Sequence, residues 1–207
     1  MKAGLVDLDD TLVCWPKHLF AEIAQKAMKN LGEEIDLETA HTITRFDYNY
    51  LRQKNIPPEK FWIEFNKYGY AGRLDALQSG RATMMPGAHR LLINLREKGY
   101  FLALVTNSPE APGRLALSYF GLQGYFDAFS FTNNDRIEKP NPELARRALR
   151  GIKDLESVFI VGDSTRDIIM GKKLGATTIH LETKNPAIDC GADYCVKSLD
   201  EVINILK

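Results

Sequence analysis

Short uninterrupted apolar runs that stop abruptly at polar residues recur along this chain. Gly4-Leu5-Val6 runs into Asp7, Phe101-Leu102-Ala103-Leu104-Val105 into Thr106, and Val158-Phe159-Ile160-Val161 into Gly162-Asp163. Runs of this kind predict buried strands, with Thr177-Thr178-Ile179-His180-Leu181 as a fourth and Ala128-Phe129-Ser130-Phe131-Thr132 as a fifth. Between them the apolar spacing changes to the helical period. Residues 87 to 98 put Ala88, Leu91, Leu92 and Leu95 on one stripe and end near Gly99, and residues 141 to 150 and 165 to 174 read similarly. Strands alternating with helices through short links predict a right-handed parallel α/β sheet.

Residues 16 to about 82 break that rhythm. Leu19, Phe20, Ile23, Ala24, Ala27, Met28 and Leu31 recur at helical steps and stop at Gly32. A second helix is predicted roughly from Leu37 to Leu51. A third follows Pro57, with Pro58 in its first turn and Phe61, Trp62, Phe65 and Tyr68 on one side, where packing among themselves is the expected role. The α/β pattern resumes near Pro86-Gly87. The expected organisation is a core of residues 1–14 and 83–207 interrupted by a helical insert of residues 15–82.

Composition narrows the function classes. At 44% hydrophobic and 26% charged residues the chain is ordinary for a globular protein, and no stretch approaches the ~20 apolar residues of a bilayer-spanning helix. Lys plus Arg equals Asp plus Glu, so no overall basic field draws it to nucleic acid. An aspartate as early as Asp7 interrupts any apolar secretory segment, and a cytoplasmic location is expected. Cys14, Cys190 and Cys195 lack the spacing of a zinc site, and Cys190 and Cys195 are expected to be thiols in a reducing compartment. A small molecule is therefore the expected partner, with no nucleic acid and no membrane.

Four segments carry candidate chemistry. Asp7-Leu8-Asp9-Asp10-Thr11-Leu12 places three carboxylates in four positions where the first strand ends. In open α/β sheets ligands bind beyond the carboxyl ends of the strands, and Asp7 and Asp9 would point to one side of an extended segment. Paired like charges there demand a divalent metal, a lysine or a shared proton. Thr106-Asn107-Ser108, at the end of the next long strand, offers hydroxyl, amide and backbone donors suited to phosphate oxygens. Lys139 is biased to an extended loop by Pro140. Gly162-Asp163-Ser164-Thr165-Arg166-Asp167 puts one carboxylate at a strand end and a second four residues on, near a helix start. Taken singly, each has a structural explanation in turns, caps or solvated loops.

Together and in this order, the four segments resemble the haloacid dehalogenase superfamily, in its phosphoglycolate phosphatase-like branch with a helical cap. That resemblance covers the whole chain and implies a Rossmann-like parallel core with an inserted cap subdomain. It implies a magnesium-dependent phosphatase of small phosphate esters in which Asp7 is the nucleophile, carrying the phosphoryl group as an aspartyl phosphate, and Asp9 is the general acid and base. Mg²⁺ would be held by Asp7, by the backbone carbonyl of Asp9 and by Asp163. Thr106 and the backbone near Asn107 would bind phosphoryl oxygens, Lys139 would offset charge on phosphate and Asp7, and Asp167 would support the metal site or orient Lys139. Asp10 departs from the family, where many members have glycine, and is expected to be a turn or helix-start residue. Arg45, Tyr48, Asn49 and Arg52 are expected to lie on a solvated helix face, and His180 to be structural.

Other readings remain on these residues. Dehalogenase chemistry has no alcohol to protonate, and that branch lacks an aspartate at the Asp9 position. A phosphonatase needs a Schiff-base lysine that the insert does not identify. A sugar phosphomutase could use the same core. A signalling receiver would place its acidic pair and its phosphorylated aspartate on different strands and has no room for the insert, and a non-catalytic binding protein would not need every one of these residue classes.

Overall fold

A computed structural model describes residues 1–132, 137–183 and 191–206. The elements in chain order begin with β1 (Lys2–Val6), β2 (Val13–Cys14), α1 (Leu19–Asn30), α2 (Leu37–Thr44), α3 (Asn49–Gln53), α4 (Pro58–Gln78), β3 (Thr83–Met84) and α5 (Ala88–Glu97). They continue with β4 (Phe101–Pro109), α6 (Glu110–Tyr119), a 3-10 turn (Gln123–Tyr125), β5 (Ala128–Thr132), α7 (Pro142–Ala148), β6 (Ser157–Gly162), α8 (Thr165–Leu174), β7 (Thr177–Leu181), β8 (Tyr194–Val196) and α9 (Leu199–Ile205). The chain divides into two compact units, Met1–Cys14 with Met84–Lys207, and Trp15–Thr83.

The first unit is a six-stranded sheet in the order β5-β4-β1-β6-β7-β8, with every pairing parallel. β1 is fully apolar after Lys2 because it lies between β4 and β6 and is covered on both faces. Leu5, Ala103, Val105 and Ile160 pack with Leu144, Ala145 and Ala148 of α7 and with Met170 of α8, all buried. Each large apolar side chain so enclosed contributes ~1.5–3 kcal/mol. The strand order reverses at β1, so the crevice beyond its carboxyl end is the position where open α/β sheets bind ligands. The parallel α/β core with a helical insertion that the pattern predicted is thus the fold observed.

Local differences have local causes. β4 continues through Thr106-Asn107-Ser108 to Pro109 instead of ending at Val105, but its pairing with β5 shifts register between Val105 and Pro109. β8 escaped the periodicity because it is three residues long and two of them are exposed. β2 and β3, at two residues each, form a separate two-stranded ribbon.

The helices of the second unit are α1 to α4, and its last residue, Thr83, begins β3. The predicted helix from Leu37 to Leu51 is in fact two, α2 and α3. Phe46 adopts a left-handed φ of 69°, the Phe46 and Asp47 N–H groups bond back to Ile43 and Thr42, and the Asp47 carboxylate then accepts the Asn49 N–H to start the next helix. α1 ends as expected at Gly32, whose φ of 85° lets Glu33 N–H reach the Met28 carbonyl. Phe61, Trp62, Phe65 and Phe46 form one aromatic cluster, with neighbouring ring centroids 5.0–5.8 Å apart. Among the described residues no helix is long and apolar enough to cross a membrane. Cys190, and with it the expectation about its pairing with Cys195, lies outside the described residues.

Candidate active site

Three neighbouring strands, β4, β1 and β6, carry Thr106, Asp7 and Asp163 to one end of the sheet, and Lys139 comes from the loop between β5 and α7. Asp7 follows β1 directly, and its N–H donates to the Val161 carbonyl of β6, so the carboxylate leaves the sheet at its centre. The chain then turns back. Leu12 and Val13 N–H both donate to the Leu8 carbonyl, and Asp10 N–H donates to the Val13 carbonyl. Asp10 sits in the left-handed region at φ 57°, a conformation that glycine adopts freely and that aspartate, with its short polar side chain, visits more readily than most residues.

Asp7 is buried. Thr11 Oγ donates to its Oδ2 at 3.2 Å and Lys139 Nζ to its Oδ1 at 2.5 Å. The Lys139 ammonium, only 3% exposed, also pairs with Asp167 Oδ1 at 2.6 Å. Asp167 comes from the first turn of α8, where it completes a capping box with Ser164 and takes the Ser164 hydroxyl on Oδ2 at 2.5 Å. Gly162 is required beneath it, because a Cβ there would collide with the Asp167 carboxyl.

Burial raises Asp7 to about 7, with Asp167 and Asp9 pushing the same way and Lys139 opposing. Asp163 is pushed well above the usual carboxylate range by burial and by Asp7, Asp167 and Asp10. Burial works against the Lys139 charge, but Asp167 and Asp7 outweigh it and hold the group above its ordinary value.

These shifts describe a site with too little positive charge. Among the described residues, Asp7, Asp163 and Asp167 place one oxygen each within 4.8 Å of one another, and one buried ammonium, that of Lys139, pairs with two of them. Asp163 receives no hydrogen bond among the described residues, whereas both oxygens of Asp7 and of Asp167 are engaged. An all-oxygen donor set with an excess of two negative charges fits a hard divalent cation such as Mg²⁺.

The predicted phosphate-binding residues are placed differently from one another. Thr106 is buried, and its Oγ1 accepts the Ser108 N–H at 3.0 Å. Asn107 uses its side-chain oxygen to accept the Lys139 N–H at 2.8 Å. Asp9 is half-buried, and its Oδ2 accepts the Ser108 hydroxyl at 2.5 Å. Sequence reasoning missed Thr11 and Ser108 as the partners of Asp7 and Asp9, and Arg166, whose guanidinium donates to the Lys139 carbonyl at 2.6 Å. Each lay inside a motif already marked, but hydroxyl and guanidinium groups in turns carry no signal of what they touch.

In the helical unit, Tyr48 accepts the Trp62 indole N–H at 2.8 Å and Arg52 donates to Asn49 at 3.0 Å. His180 is buried within β7.

Known proteins share both the pattern and the fold. The family model for haloacid dehalogenase-like hydrolases matches residues 1–175. A glyceraldehyde 3-phosphate phosphatase of Pyrococcus furiosus is 24% identical over 100% of this chain and 93% of its own length. A phosphoglycolate phosphatase of Rhodobacter capsulatus is 33% identical over 45% of this chain and 42% of its own. The crystal structure of a haloacid dehalogenase (HAD) phosphatase from Thermococcus onnurineus superposes with a TM-score of 0.72 at 26% identity, covering 100% of this chain and 98% of that one. Since the matched segment covers most of the chain and contains Asp7, Thr106, Lys139, Asp163 and Asp167, this chain belongs to the haloacid dehalogenase-like hydrolases.

Proposed function

We propose that the protein is a Mg²⁺-dependent phosphatase of small phosphate monoesters that works through an aspartyl phosphate on Asp7. One observation carries this reading: a buried carboxylate at the end of the central strand, held by Lys139 at 2.5 Å and crowded by two further carboxylates. The similar proteins named for glyceraldehyde 3-phosphate and phosphoglycolate support a small monoester as substrate.

An oxygen of the Asp7 carboxylate attacks phosphorus, forming an acyl phosphate as the bond to the ester oxygen breaks. Asp9 gives its proton to the departing alcohol. It then takes a proton from the water that attacks the same phosphorus, breaking the acyl phosphate bond and restoring Asp7. The Ser108 hydroxyl fixes one Asp9 oxygen and so orients the carboxyl for both transfers. Lys139 offsets charge on Asp7 and on the phosphoryl oxygens, and Thr106 with the backbone near Asn107 supplies donors to those oxygens. Asp7, Asp163 and the Asp9 carbonyl would hold Mg²⁺, and Asp167 would keep Lys139 in place. When bound, the cation supplies charge neutralisation at the transferring phosphoryl group. In this reading the inserted helical unit is the cap that selects the substrate.

The test is phosphate release from a panel of small monoesters that includes phosphoglycolate, glyceraldehyde 3-phosphate and β-glucose 1-phosphate, with and without Mg²⁺, alongside Asp7→Asn. Metal-dependent release that the substitution lowers by at least ~10³-fold supports the reading. Release unchanged by Asp7→Asn overturns it. Isomerisation of the sugar phosphate with little release selects a phosphomutase on the same scaffold.

A further inference from the structure

Lys139 is held at three points, and two of them come from successive residues of one helix. Its ammonium reaches Asp167 at 2.6 Å and Asp7 at 2.5 Å, its N–H reaches Asn107 Oδ1 at 2.8 Å, and its carbonyl takes the Arg166 guanidinium at 2.6 Å. Arg166 and Asp167 both lie in the first turn of α8, which the capping box at Ser164 fixes. One turn of helix thus grips the lysine at its charged tip and at its backbone.

The grip suits the local chemistry. Pro140 follows Lys139, so the peptide between them has no N–H and offers only the carbonyl as a handle. A guanidinium donating to that carbonyl makes a charge-assisted bond, stronger than a neutral one and directed by a planar fork. Farther along α8, Lys173 Nζ approaches the Pro140 carbonyl at 3.5 Å, so the helix lies along the loop at two consecutive carbonyls. The long contact of 3.9 Å between Arg166 and Glu138 is a minor addition. Without the guanidinium, the loop would keep the ion pairs at the lysine tip and the long Lys173 contact at the next carbonyl, but lose the short anchor on the Lys139 carbonyl itself.

We infer that Arg166 is a positioning residue, fixing the backbone of Lys139 so that its ammonium is delivered to the reacting phosphoryl group in one geometry. The functional half of this inference rests on the role proposed above for Lys139, whereas the anchoring half does not. Displacement of a catalytic group by ~1 Å can cost ~10²-fold in rate, so an anchor of this kind shows in turnover before it shows in binding.

The experiment compares wild-type protein with Arg166→Ala and Arg166→Lys in three measurements. These are kcat and KM on the best monoester, thermal melting, and amide hydrogen exchange of the segment containing Lys139. Expected for Arg166→Ala are a kcat lower by ~10–100-fold with KM within ~3-fold, and exchange at Lys139 faster by at least ~10-fold while amides of β1 are unchanged. Methylguanidinium should restore part of the lost kcat in Arg166→Ala and none in Lys139→Met, and Arg166→Lys should fall between the two extremes. If Arg166→Ala melts too low to assay, Arg166→Lys with the exchange measurement decides. Unchanged exchange at Lys139 overturns the anchor whatever the activity, and faster exchange with wild-type kcat overturns its catalytic consequence. Wild-type protein without phosphatase activity would sink the proposed function and leave the exchange result to judge the anchor alone.

Discussion

The two units of this protein treat charge in opposite ways. In the α/β unit three charged side chains, Asp7, Lys139 and Asp167, are buried and converge at one point. In the helical unit the pairs of Lys54 with Glu33, Lys67 with Glu64 and Arg81 with Asp75 each keep their cation at least 42% exposed. A buried cation of that unit, Arg73, lies over aromatic faces, 4.8 Å from the Phe20 ring centroid and 5.5 Å from that of Trp15. Exposed pairs contribute little and are lost cheaply, whereas buried charge costs several kcal/mol per ion unless it is matched. The α/β unit carries that cost where strand ends meet, and its carboxylates outnumber their buried cation. The helical unit instead places apolar and aromatic packing at its centre, with Phe61 and Phe65 buried against each other.

The contrast can be broken at its strongest point first. Lys139→Met removes the buried ammonium that pairs with Asp7 and Asp167 and should lower kcat by ~10³-fold, read as phosphate release at saturating Mg²⁺ and substrate. A variant within ~3-fold of wild type would mean that the buried pair is structural alone. In the helical unit the comparable loss is one of packing. Phe61 is fully buried among Trp62 and Phe65, and Phe61→Ala should cost about 3–5 kcal/mol by chemical denaturation.

A weaker but more diagnostic effect lies in the pH dependence of the metal-free protein. Asp7 is raised from 3.8 to about 7 and Asp163 is raised as well. Between the unfolded and folded values the folded chain keeps protons that the unfolded chain has released, so raising the pH through that window lowers stability. In chelator, Asp163→Asn should therefore melt above wild type at pH 7.5, with the gap closing towards pH 4.5. Adding Mg²⁺ should reverse the order at pH 7.5. Equal melting at both pH values would mean that the acidic group is already balanced without a cation. The smallest effect is expected at the exposed pair: Arg81→Ala should change unfolding free energy by no more than ~0.5 kcal/mol.

Much of this architecture was legible before any coordinates, because burial on both faces writes continuous apolar runs and burial on one helical face writes a 3.6-residue stripe. β1, β5, β7 and α8 lie where those patterns put them. The single helix expected from Leu37 to Leu51 failed at Phe46, since a bulky aromatic in the left-handed region is set by its surroundings and not by propensity. β8 failed for the opposite reason, being too short and too exposed to leave a pattern. At the site, Asp7 and Asp163 at strand ends, Lys139 before a proline and Asp167 near a helix start could be picked out as candidate chemistry by their types and their order along the chain. Their partners could not: Ser108 meets Asp9 across 99 positions and Asn107 meets Lys139 across 32.

The sequence by itself determined the alternation of strands and helices, the interruption by a helical segment, and the positions where carboxylates leave the sheet. Only the tertiary structure decided that β4, β1 and β6 lie side by side, that one lysine serves two aspartates, and that Arg166 holds that lysine by its carbonyl. The reason is physical. Periodicity records which face of a segment is buried, a local property. Strand order and the meeting of polar groups depend on which distant segments pack together, and residues far apart in the chain leave no record of that in their spacing.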